Sequence, residues 1–487
     1  MSLTSALSIA SGGLANVTSQ LAVVSNNVSN ANTAGYTAEI GQQTALSSQG
    51  LEMGVRTGIT VRSVNTMMAT EARQQNATVA AMTVTSQALA AVDAASGTPG
   101  QGNDLASLTG ALNDTFTTLS ADPSSSAEQN SVVTAAGNLV RGINGVAKVI
   151  GAQRQAAQDQ LSQQLTQLNT ALASIGTLSH QISTQGNENI TTLEDQRDAA
   201  MNTVAQLTGA TFFNQANGSV QVILPSGDTL PTDSSGTLQT TDSQLSPQTA
   251  APAITLNGQD ITAQLTGGQI GANLALRDTV LPTFQATLDE FSNNLTQRFS
   301  KAGLDLFVDP TPLPVSTSSP AQAAYLGLAN RIQVNPAVVR NPSLVQQGTT
   351  APAAGTTIAA SDQTVITNVL NQAFGTISAS TAAAPLVSGL GLSGSLSAPF
   401  AMPQTLAGFA ADVVSAQSGA SSDAATSLAT AQAVQTTLNN QVAAVSGVSI
   451  DTEMSTMIAL QNAYGANARI ITAVNQMWTA VLQMGTG

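Results

Sequence analysis

The chain contains no cysteine and little charge or aromatic content, and each shortage excludes a class of protein. Without cysteine there are no disulfide frameworks, zinc–thiolate sites or cysteine nucleophiles. Charged residues make up 8% of the 487 residues, whereas an ordinary globular domain has about 25%. Aromatic residues make up 3%, although an apolar fraction of 42% still permits sizeable cores. A neutral polar surface of this kind favours close lateral packing of many copies.

Basic residues are also scarce, with Lys148 and Lys301 as the two lysines and a net charge of −14. This charge argues against nucleic acid and membrane as partners, because nucleic acids and anionic membranes both attract basic patches. No segment approaches the roughly 18 consecutive apolar residues of a spanning helix. The N-terminus lacks the basic and apolar regions of a secretory signal. We therefore expect neither a membrane span nor a cleaved signal.

The first 30 residues carry an uninterrupted heptad pattern and no charged residue, since the first charge is Glu39. This pattern predicts a helix from Leu3 to Asn30. Its outer face is neutral, which is poorly suited to an isolated helix in water. The apolar positions, at alternating steps of four and three, are Leu3, Leu7, Ala10, Leu14, Val17, Leu21, Val24 and Val28.

The last helix mirrors the first. Its apolar residues follow the same heptad spacing, which is interrupted by two polar residues, Glu453 and Asn467. After Glu453, its only charged residue is Arg469. Because the apolar face of each helix (its seam) needs an apolar partner, we expect the two terminal helices to pair as a coiled coil. The alternative is two ordinary core helices of a large α-rich protein. The apolar positions of the last helix are Ile450, Met457, Leu460, Tyr464, Ile471, Val474, Trp478 and Val481.

Between the ends, the patterns predict helices around one inserted β region. Heptad spacing from Leu161 to Ile175 indicates a long helix, and Asn217-Gly218 is a strong hairpin signal. The predicted fold is mainly α with inserted β: terminal helices paired as a coiled coil, a helical bundle layer, and small β domains outermost. If the neutral outer faces meet neighbouring copies, head-to-tail repetition gives rings or helical tubes.

The same patterns predict four domains. The terminal coiled-coil domain is discontinuous and comprises residues 1–65 and 440–487. The helical domain comprises residues 66–208, 268–300 and 401–439, and the inserted β domain residues 209–267. Residues 301–400 form an irregular mixed region with repeated prolines.

Four segments carry a resemblance to one family. Residues 25–37, SNNVSNANTAGYT, resemble the N-terminal signature of the bacterial flagellar axial proteins, the rod, hook and hook-associated family. The segments LEDQRD at 193–198 and GQIGANLALRD at 268–278 are similar to blocks of the hook-associated members. The C-terminal helix, from Gly447 to Trp478, resembles theirs as well. The resemblance covers about residues 1–75, 150–225, 268–305 and 447–487.

This resemblance implies a structural component of the extracellular flagellum that joins the hook to the filament and assembles with itself as a ring through its terminal helices. Its implied partners are further copies, the hook protein on one side, the next hook-associated protein or the filament on the other, and an export chaperone. Export would follow the flagellar type III route. The alternatives are another axial protein (hook, rod or other hook-associated protein) or a secreted adhesin or enzyme with axial-type ends.

We predict no catalytic, metal-binding or cofactor-binding residue. His180 is the only histidine, which leaves no base for a conventional triad beyond this imidazole. Glu194, Asp195 and Asp198 are interpreted as acids at a helix N-terminus with a local ion pair to Arg197, the alternative being a carboxylate metal site. The predicted assembly residues are the apolar positions of both terminal helices, Ala10 excepted, together with Asn26, Asn27, Asn30, Asn32, Gly35 and Tyr36. The four asparagines could lock register between copies or only end the helix, and both readings stay open.

Overall fold

The structure is a computed structural model that describes residues 3–33, 35–48, 51–98, 100–185, 190–233, 236–313, 320–349, 358–376 and 384–484. Helices predominate. They are α1 (Leu3–Asn30), α2 (Thr66–Ser96), α3 (Leu105–Ala121), α4 (Ser126–Thr184), α5 (Thr191–Thr208), α6 (Gly268–Ala275), α7 (Leu281–Lys301), α8 (Leu328–Arg331), α9 (Pro336–Arg340), α10 (Leu344–Gln347), α11 (Thr364–Asn368), α12 (Leu406–Ser446) and α13 (Ile450–Met484). A π-helical turn, Leu276–Val280, joins α6 to α7, and a second, Val369–Ala373, follows α11.

Short antiparallel strands are inserted between the helices. They are β1 (Glu39–Ser48), β2 (Leu51–Arg62), β3 (Thr211–Asn214), β4 (Val220–Ile223), β5 (Thr229–Leu230), β6 (Leu238–Thr240), β7 (Ile254–Leu256), β8 (Gln259–Asp260), β9 (Phe307–Val308), β10 (Gln333–Val334), β11 (Ser388–Leu390) and β12 (Leu396–Ser397). The hairpin β1–β2 pairs Glu39 with Arg62, and two three-stranded sheets have the orders β3-β4-β5 and β6-β7-β8. The strong turn signal at Asn217-Gly218 does connect two strands, β3 and β4.

The chain divides into two compact units, and each is described by itself. Unit 1 comprises Met1–Val79, Gln167–Thr237 and Ala431–Gly487. Unit 2 comprises Ala80–Thr166 and Leu238–Thr430. Three of the long helices, α2, α4 and α12, contribute residues to both units.

The core of unit 2 is built around α7, whose apolar face of Leu281, Leu288, Phe291, Leu295 and Phe299 is buried. Phenylalanine side chains from distant parts of the unit meet there. The ring of Phe299 lies 5.1 Å from Phe307 and 5.5 Å from Phe374, both edge to face, the arrangement that aromatic quadrupoles favour. The proline at 282 lies in the first turn of α7, where a missing amide hydrogen costs little.

Two buried acids on α7 hold loops of unit 2. Asp289 accepts hydrogen bonds from the backbone amides of Gly327 (2.7 Å) and Ala329 (2.9 Å). Glu290 accepts from the Tyr325 hydroxyl (2.5 Å) and the Leu386 amide (3.0 Å). Burial raises the pKa of Asp289 to about 7, although these amides and the Gln285 side chain oppose the shift. The two carboxyls therefore hold these loops against α7 through hydrogen bonds.

In unit 1, α1 lies between the β1–β2 hairpin and α13, and two adjacent glycines of α1 face these two neighbours. A Cβ atom on Gly12 would lie 3.4 Å from the carbonyl oxygen of Val55 on β2. On Gly13 it would lie 3.2 Å from the side chain of Asn467 on α13. Glycine costs a helix about 1 kcal/mol relative to alanine. At Gly13 the missing side chain leaves room for Asn467.

The expected fold class is confirmed: the chain is mainly helical, with inserted antiparallel strands and paired terminal helices. Helix α1 has the bounds that its pattern predicts, and the break at residues 446–448 separates α12 from α13. The long helix that the heptad spacing indicates is part of α4, and Leu161, Leu165, Leu168, Leu172 and Ile175 are all buried on it. Of the irregular region 301–400, residues 314–319, 350–357 and 377–383 lie outside the described residues.

Candidate assembly interface

The two terminal helices pack antiparallel through a small apolar cluster. Val17 and Val24 of α1 and Leu460 of α13 are buried together, with Leu21, Met457 and Ala463 packed around them. Asn27, near the end of α1, bonds Glu453 near the start of α13. Gly13, nearer the start of α1, faces Asn467 further along α13. The two contacts together fix the antiparallel direction.

Asn27 is the polar centre of this region, since it is 1% exposed and its amide makes four hydrogen bonds. Its Nδ2 donates to the carbonyl oxygen of Glu39 and to Oε1 of Glu453, both at 2.9 Å. Its Oδ1 accepts from the Glu39 amide (2.9 Å) and the Tyr36 hydroxyl (2.8 Å). Two donors and two acceptors are the full capacity of the side chain. One residue thus joins α1, the start of β1 and α13.

Tyr36 remains a hydrogen-bond donor throughout the ordinary pH range. Burial raises the pKa of its hydroxyl, and the charges of Glu39, Asp195 and Glu453 raise it further. The turn before it requires Gly35, whose φ of +83° lies in the left-handed region. The sequence between α1 and β1 therefore places the Tyr36 hydroxyl against Asn27 and keeps it protonated.

Thr37 connects the N-terminal signature to the LEDQRD segment, which lies far away in sequence. Its hydroxyl donates to Oδ1 of Asp195 at 3.0 Å. Asp195 also accepts from Nη1 of Arg62 at 2.7 Å, and the same guanidinium bonds Glu194 (2.9 Å) and Asp198 (2.7 Å). Arg62 at the end of β2 thus holds three carboxylates of α5.

The cation of this acidic group was assigned wrongly from the sequence. The interpreted local pair with Arg197 is not formed: Arg197 is buried, and its Nε has no hydrogen-bond partner among the described residues. Arg62 takes the place of Arg197. Burial disfavours the charge on Arg62, but Asp198, Asp195 and Glu194 outweigh it, so its pKa lies above the ordinary value. A separation of 132 positions between Arg62 and Glu194 explains why sequence spacing could not reveal the pair.

Arg73 of α2 extends the group. Its Nη2 lies 3.9 Å from Asp198, its Nε donates to Oδ1 of Asn202 at 2.8 Å, and its guanidinium lies 5.3 Å from the centroid of the Phe212 ring. Burial lowers its pKa, and the charge of Arg62 lowers it further while Asp198 opposes this. The arrangement neutralises carboxylates and ties elements together. Among the described residues no group of three or more His, Asp or Glu side chains could hold a metal ion.

The predicted assembly residues of α1 and its following turn have different degrees of burial. Asn27 makes the interhelical bond, whereas Asn30 bonds locally to the carbonyl oxygen of Asn26 and ends the helix. Buried are Val17, Val24 and Asn27; half-buried are Leu3, Leu7, Leu14, Leu21, Val28, Asn30 and Tyr36; exposed are Asn26, Asn32 and Gly35.

Half of the predicted positions on α13 do not join the contact with α1. Leu460 and Val474 are buried and Met457 and Ile471 half-buried, whereas Ile450, Tyr464, Trp478 and Val481 are 47–51% exposed. The two polar exceptions of the heptad frame, Glu453 and Asn467, do contact α1. Their regular spacing in the frame was the sequence signal for this contact.

Helix α1 is long and apolar enough to cross a membrane by length and composition, with a mean hydropathy of 1.3 over its best window. Its polar residues have protein partners, however. Asn16 donates to Oε1 of Gln43 at 2.8 Å, and Asn27 bonds Glu39 and Glu453. A bilayer supplies no such partners. The composition of α1 is therefore accounted for by its place between β1–β2 and α13.

Three families match successive parts of the chain. Residues 7–37 match the family described as flagella basal body rod protein, and residues 440–484 match the flagellar basal body rod FlgEFG protein C-terminal family. Residues 89–307 match the flagellar hook-associated protein FlgK helical domain. The chain is thus similar to flagellar axial proteins at both ends and to FlgK hook-associated proteins over its interior. The axial ends and the FlgK-type interior thus agree with the segments that carried the resemblance.

Among solved structures, the chain is similar to the flagellar hook junction protein FlgK from Burkholderia pseudomallei, with 22% identity and a TM-score of 0.43. The match covers 50% of this chain and 47% of that protein, so it spans about half the length of each. A comparison with curated protein sequences gives no match. The family matches at both ends and over residues 89–307 support a structural role in the flagellar axis.

Proposed function

We propose that this chain joins the hook to the filament of a bacterial flagellum and assembles as a ring through α1 and α13. The observation that carries the proposal is a set of large apolar side chains on α13 that the described part of the chain leaves exposed. Ile450, Ile458, Ile470, Trp478 and Val481 are each about half exposed on this helix. Apolar patches of this kind on a neutral helix mark protein interaction sites.

The neutral composition of both helices supports self-assembly. No residue before Glu39 is charged, and α13 carries only Asp451, Glu453 and Arg469. Neighbouring copies could therefore approach without separating charges from water. Under this proposal the predicted assembly residues that are exposed contact other copies. Residues 1–65 and 440–487 are the terminal domain of this proposal.

The proposed partners follow from the same role. One face of the ring would contact the hook protein, and the other would contact the next hook-associated protein or the filament. The chain would leave the cell unfolded through the flagellar type III route, with an export chaperone. No enzymatic step is part of this function.

The test is a pair of charge-matched variants in a strain that lacks the chromosomal copy. Ile458→Glu/Ile470→Glu places two charges on the exposed apolar positions, and Ser455→Glu/Gln476→Glu places two on exposed polar positions of the same helix. We expect the first variant to abolish swimming and stained filaments while its purified monomer remains folded by circular dichroism. The second should retain both. Normal filaments in the first variant would overturn the proposed interface.

A hook or rod protein is the second candidate, because both ends match rod families. The FlgK-type match over residues 89–307 favours the junction. Immunogold labelling of an epitope-tagged chain separates the two. Label confined to a narrow band between hook and filament supports the junction, and label along the hook or within the rod overturns it.

A further inference from the structure

Glu453 and Asn467, the two polar residues in the apolar seam of α13, each lie opposite a residue of α1 that is not part of its apolar set. Glu453 and Asn467 are fourteen residues apart, and so are Asn27 and Gly13, which face them. Fourteen residues are two heptads, so both contacts lie on the same side of the antiparallel pair. The apolar cluster of Val17, Val24 and Leu460 lies between the contacts.

The two contacts use different chemistry. At one, Glu453 supplies the acceptor for the second N–H of Asn27, whose other three hydrogen bonds go to Glu39 and Tyr36. Without that acceptor a buried amide N–H would lack a partner, which is costly. At the other, Gly13 leaves the space that the Asn467 side chain fills.

A shifted register satisfies neither contact. Moving α13 by one heptad in one direction sets Leu460 against Asn27 and Val474 against Gly13. Moving it the other way sets Leu460 against Gly13 and leaves Asn27 beyond the start of α13. A shift of two heptads can set Asn467 against Asn27, but Glu453 then passes the end of α1 and Val481 faces Gly13. The apolar positions alone repeat every heptad and do not distinguish these registers.

We propose that Glu453 and Asn467 form a two-point register code that admits one antiparallel alignment of α1 with α13. The partner that fits α1 is a helix with a carboxylate and an amide fourteen residues apart on its apolar seam. A second copy of α1 does not fit, because it contains no acidic residue. The importance of this code for assembly rests on the proposed function, whereas the register itself does not.

Because the chain has no cysteine, disulfide trapping reads the register directly in the full-length monomer. Val17→Cys/Ala463→Cys reports the observed register, since both positions lie four residues from the Gly13–Asn467 contact, on the side of Asn27. Val17→Cys/Thr456→Cys and Val17→Cys/Ile470→Cys report shifts of one heptad. We expect the first pair to crosslink about tenfold more than the others in the parent chain, the ratio that one unmet buried hydrogen bond supplies.

The code is removed by Glu453→Leu/Asn467→Leu, and Glu453→Gln is the matched control because its carbonyl oxygen still accepts from Asn27. The double variant should bring the shifted crosslinks to within about threefold of the first pair, whereas the control should keep the parent ratio. The proposal would be overturned if the double variant kept the parent ratio of first-pair to shifted crosslinks. It would also be overturned if Glu453→Gln lost that ratio, or if Val17→Cys/Ala463→Cys gave no crosslink in the parent chain. Because the crosslinks are measured in the monomer, the result does not depend on whether the chain assembles as a ring.

Discussion

At the scale of single residues, the chain uses a few fully satisfied polar groups where most helical proteins use surface charge. Asn27 has all four hydrogen bonds of its amide met inside the protein. Arg62 has three carboxylates within 2.9 Å. Such groups give direction and register, which apolar contacts alone do not. Their loss should therefore have local structural effects that are larger than a surface substitution produces.

Asn27→Ala should release the start of β1 from α1. It removes four hydrogen bonds and leaves the Glu39 amide and the Tyr36 hydroxyl without their acceptor, a cost of roughly 2–4 kcal/mol. We expect faster amide hydrogen exchange in residues 36–40 and 453–457. Asn26→Ala is the matched control, because Asn26 is the exposed neighbour on the same helix. Equal exchange in the two variants would show that the Asn27 amide does not hold this junction.

Asp289 gives unit 2 a defined pH dependence. Burial raises its pKa from 3.8 to about 7, so the folded chain retains this proton at a higher pH than the unfolded chain does. Protonation then favours the folded state between these values, and stability falls as the pH rises through about 7. Burial also raises the pKa of the adjacent Glu290, in the same direction. The change should amount to a few kcal/mol, since one pKa unit corresponds to about 1.4 kcal/mol.

The check is denaturant unfolding of unit 2 at several values between pH 5 and pH 8. We expect Asp289→Asn to flatten the profile and to lower stability at pH 5. The Gly327 and Ala329 amides bond different oxygens of the Asp289 carboxyl, so an NH2 group in place of one oxygen would face an N–H donor. The exposed Asp114→Asn should leave the profile unchanged. A profile that rises toward pH 8 in the parent chain would contradict the raised pKa.

At the scale of elements, the sequence pattern located helices well and long-range polar partners poorly. Heptad spacing predicted both ends of α1, because local periodicity determines which face of a helix is apolar. The same pattern treated Glu453 and Asn467 as defects and the glycine pair as a weakness. Their roles depend on what faces them across the seam. Arg62 and its acids were missed for the same reason, since pairing distant in sequence leaves no periodic signal.

The C-terminal end of α13 should be the least protected helix in the free chain. Residues 475–484 are exposed on every side, whereas residues 457, 460, 471 and 474 face α1. Exposed helical turns open more readily than buried ones, so their amides should exchange quickly. Hydrogen exchange followed by mass spectrometry should show fast exchange at 475–484 and slower exchange at 457–474. Assembly into filaments should protect 475–484, and equal rates before and after assembly would contradict a role for this end in packing.

At the scale of the whole molecule, a chain with 8% charged residues folds as two compact units. Unit 2 has a continuous apolar core that includes a group of phenylalanines around α7. In unit 1 the pairing of α1 with α13 rests on a cluster of three buried apolar residues and their neighbours. The terminal helices should therefore be the weaker part of an unassembled chain, and their stability should depend on neighbours in the ring.

This difference can be tested by a substitution deep in unit 2. Phe299→Ala removes a ring that contacts Phe116, Phe307 and Phe374, and should destabilise unit 2 by about 3–5 kcal/mol. Because unit 1 has its own contacts, exchange rates in α1 and in residues 457–474 should stay at the parent values under native conditions. Asn27→Ala should give the converse, with altered exchange in unit 1 and an unchanged unfolding midpoint for unit 2. If Phe299→Ala accelerates exchange in α1 as much as in α7, the two units unfold together and the terminal helices depend on the phenylalanine core.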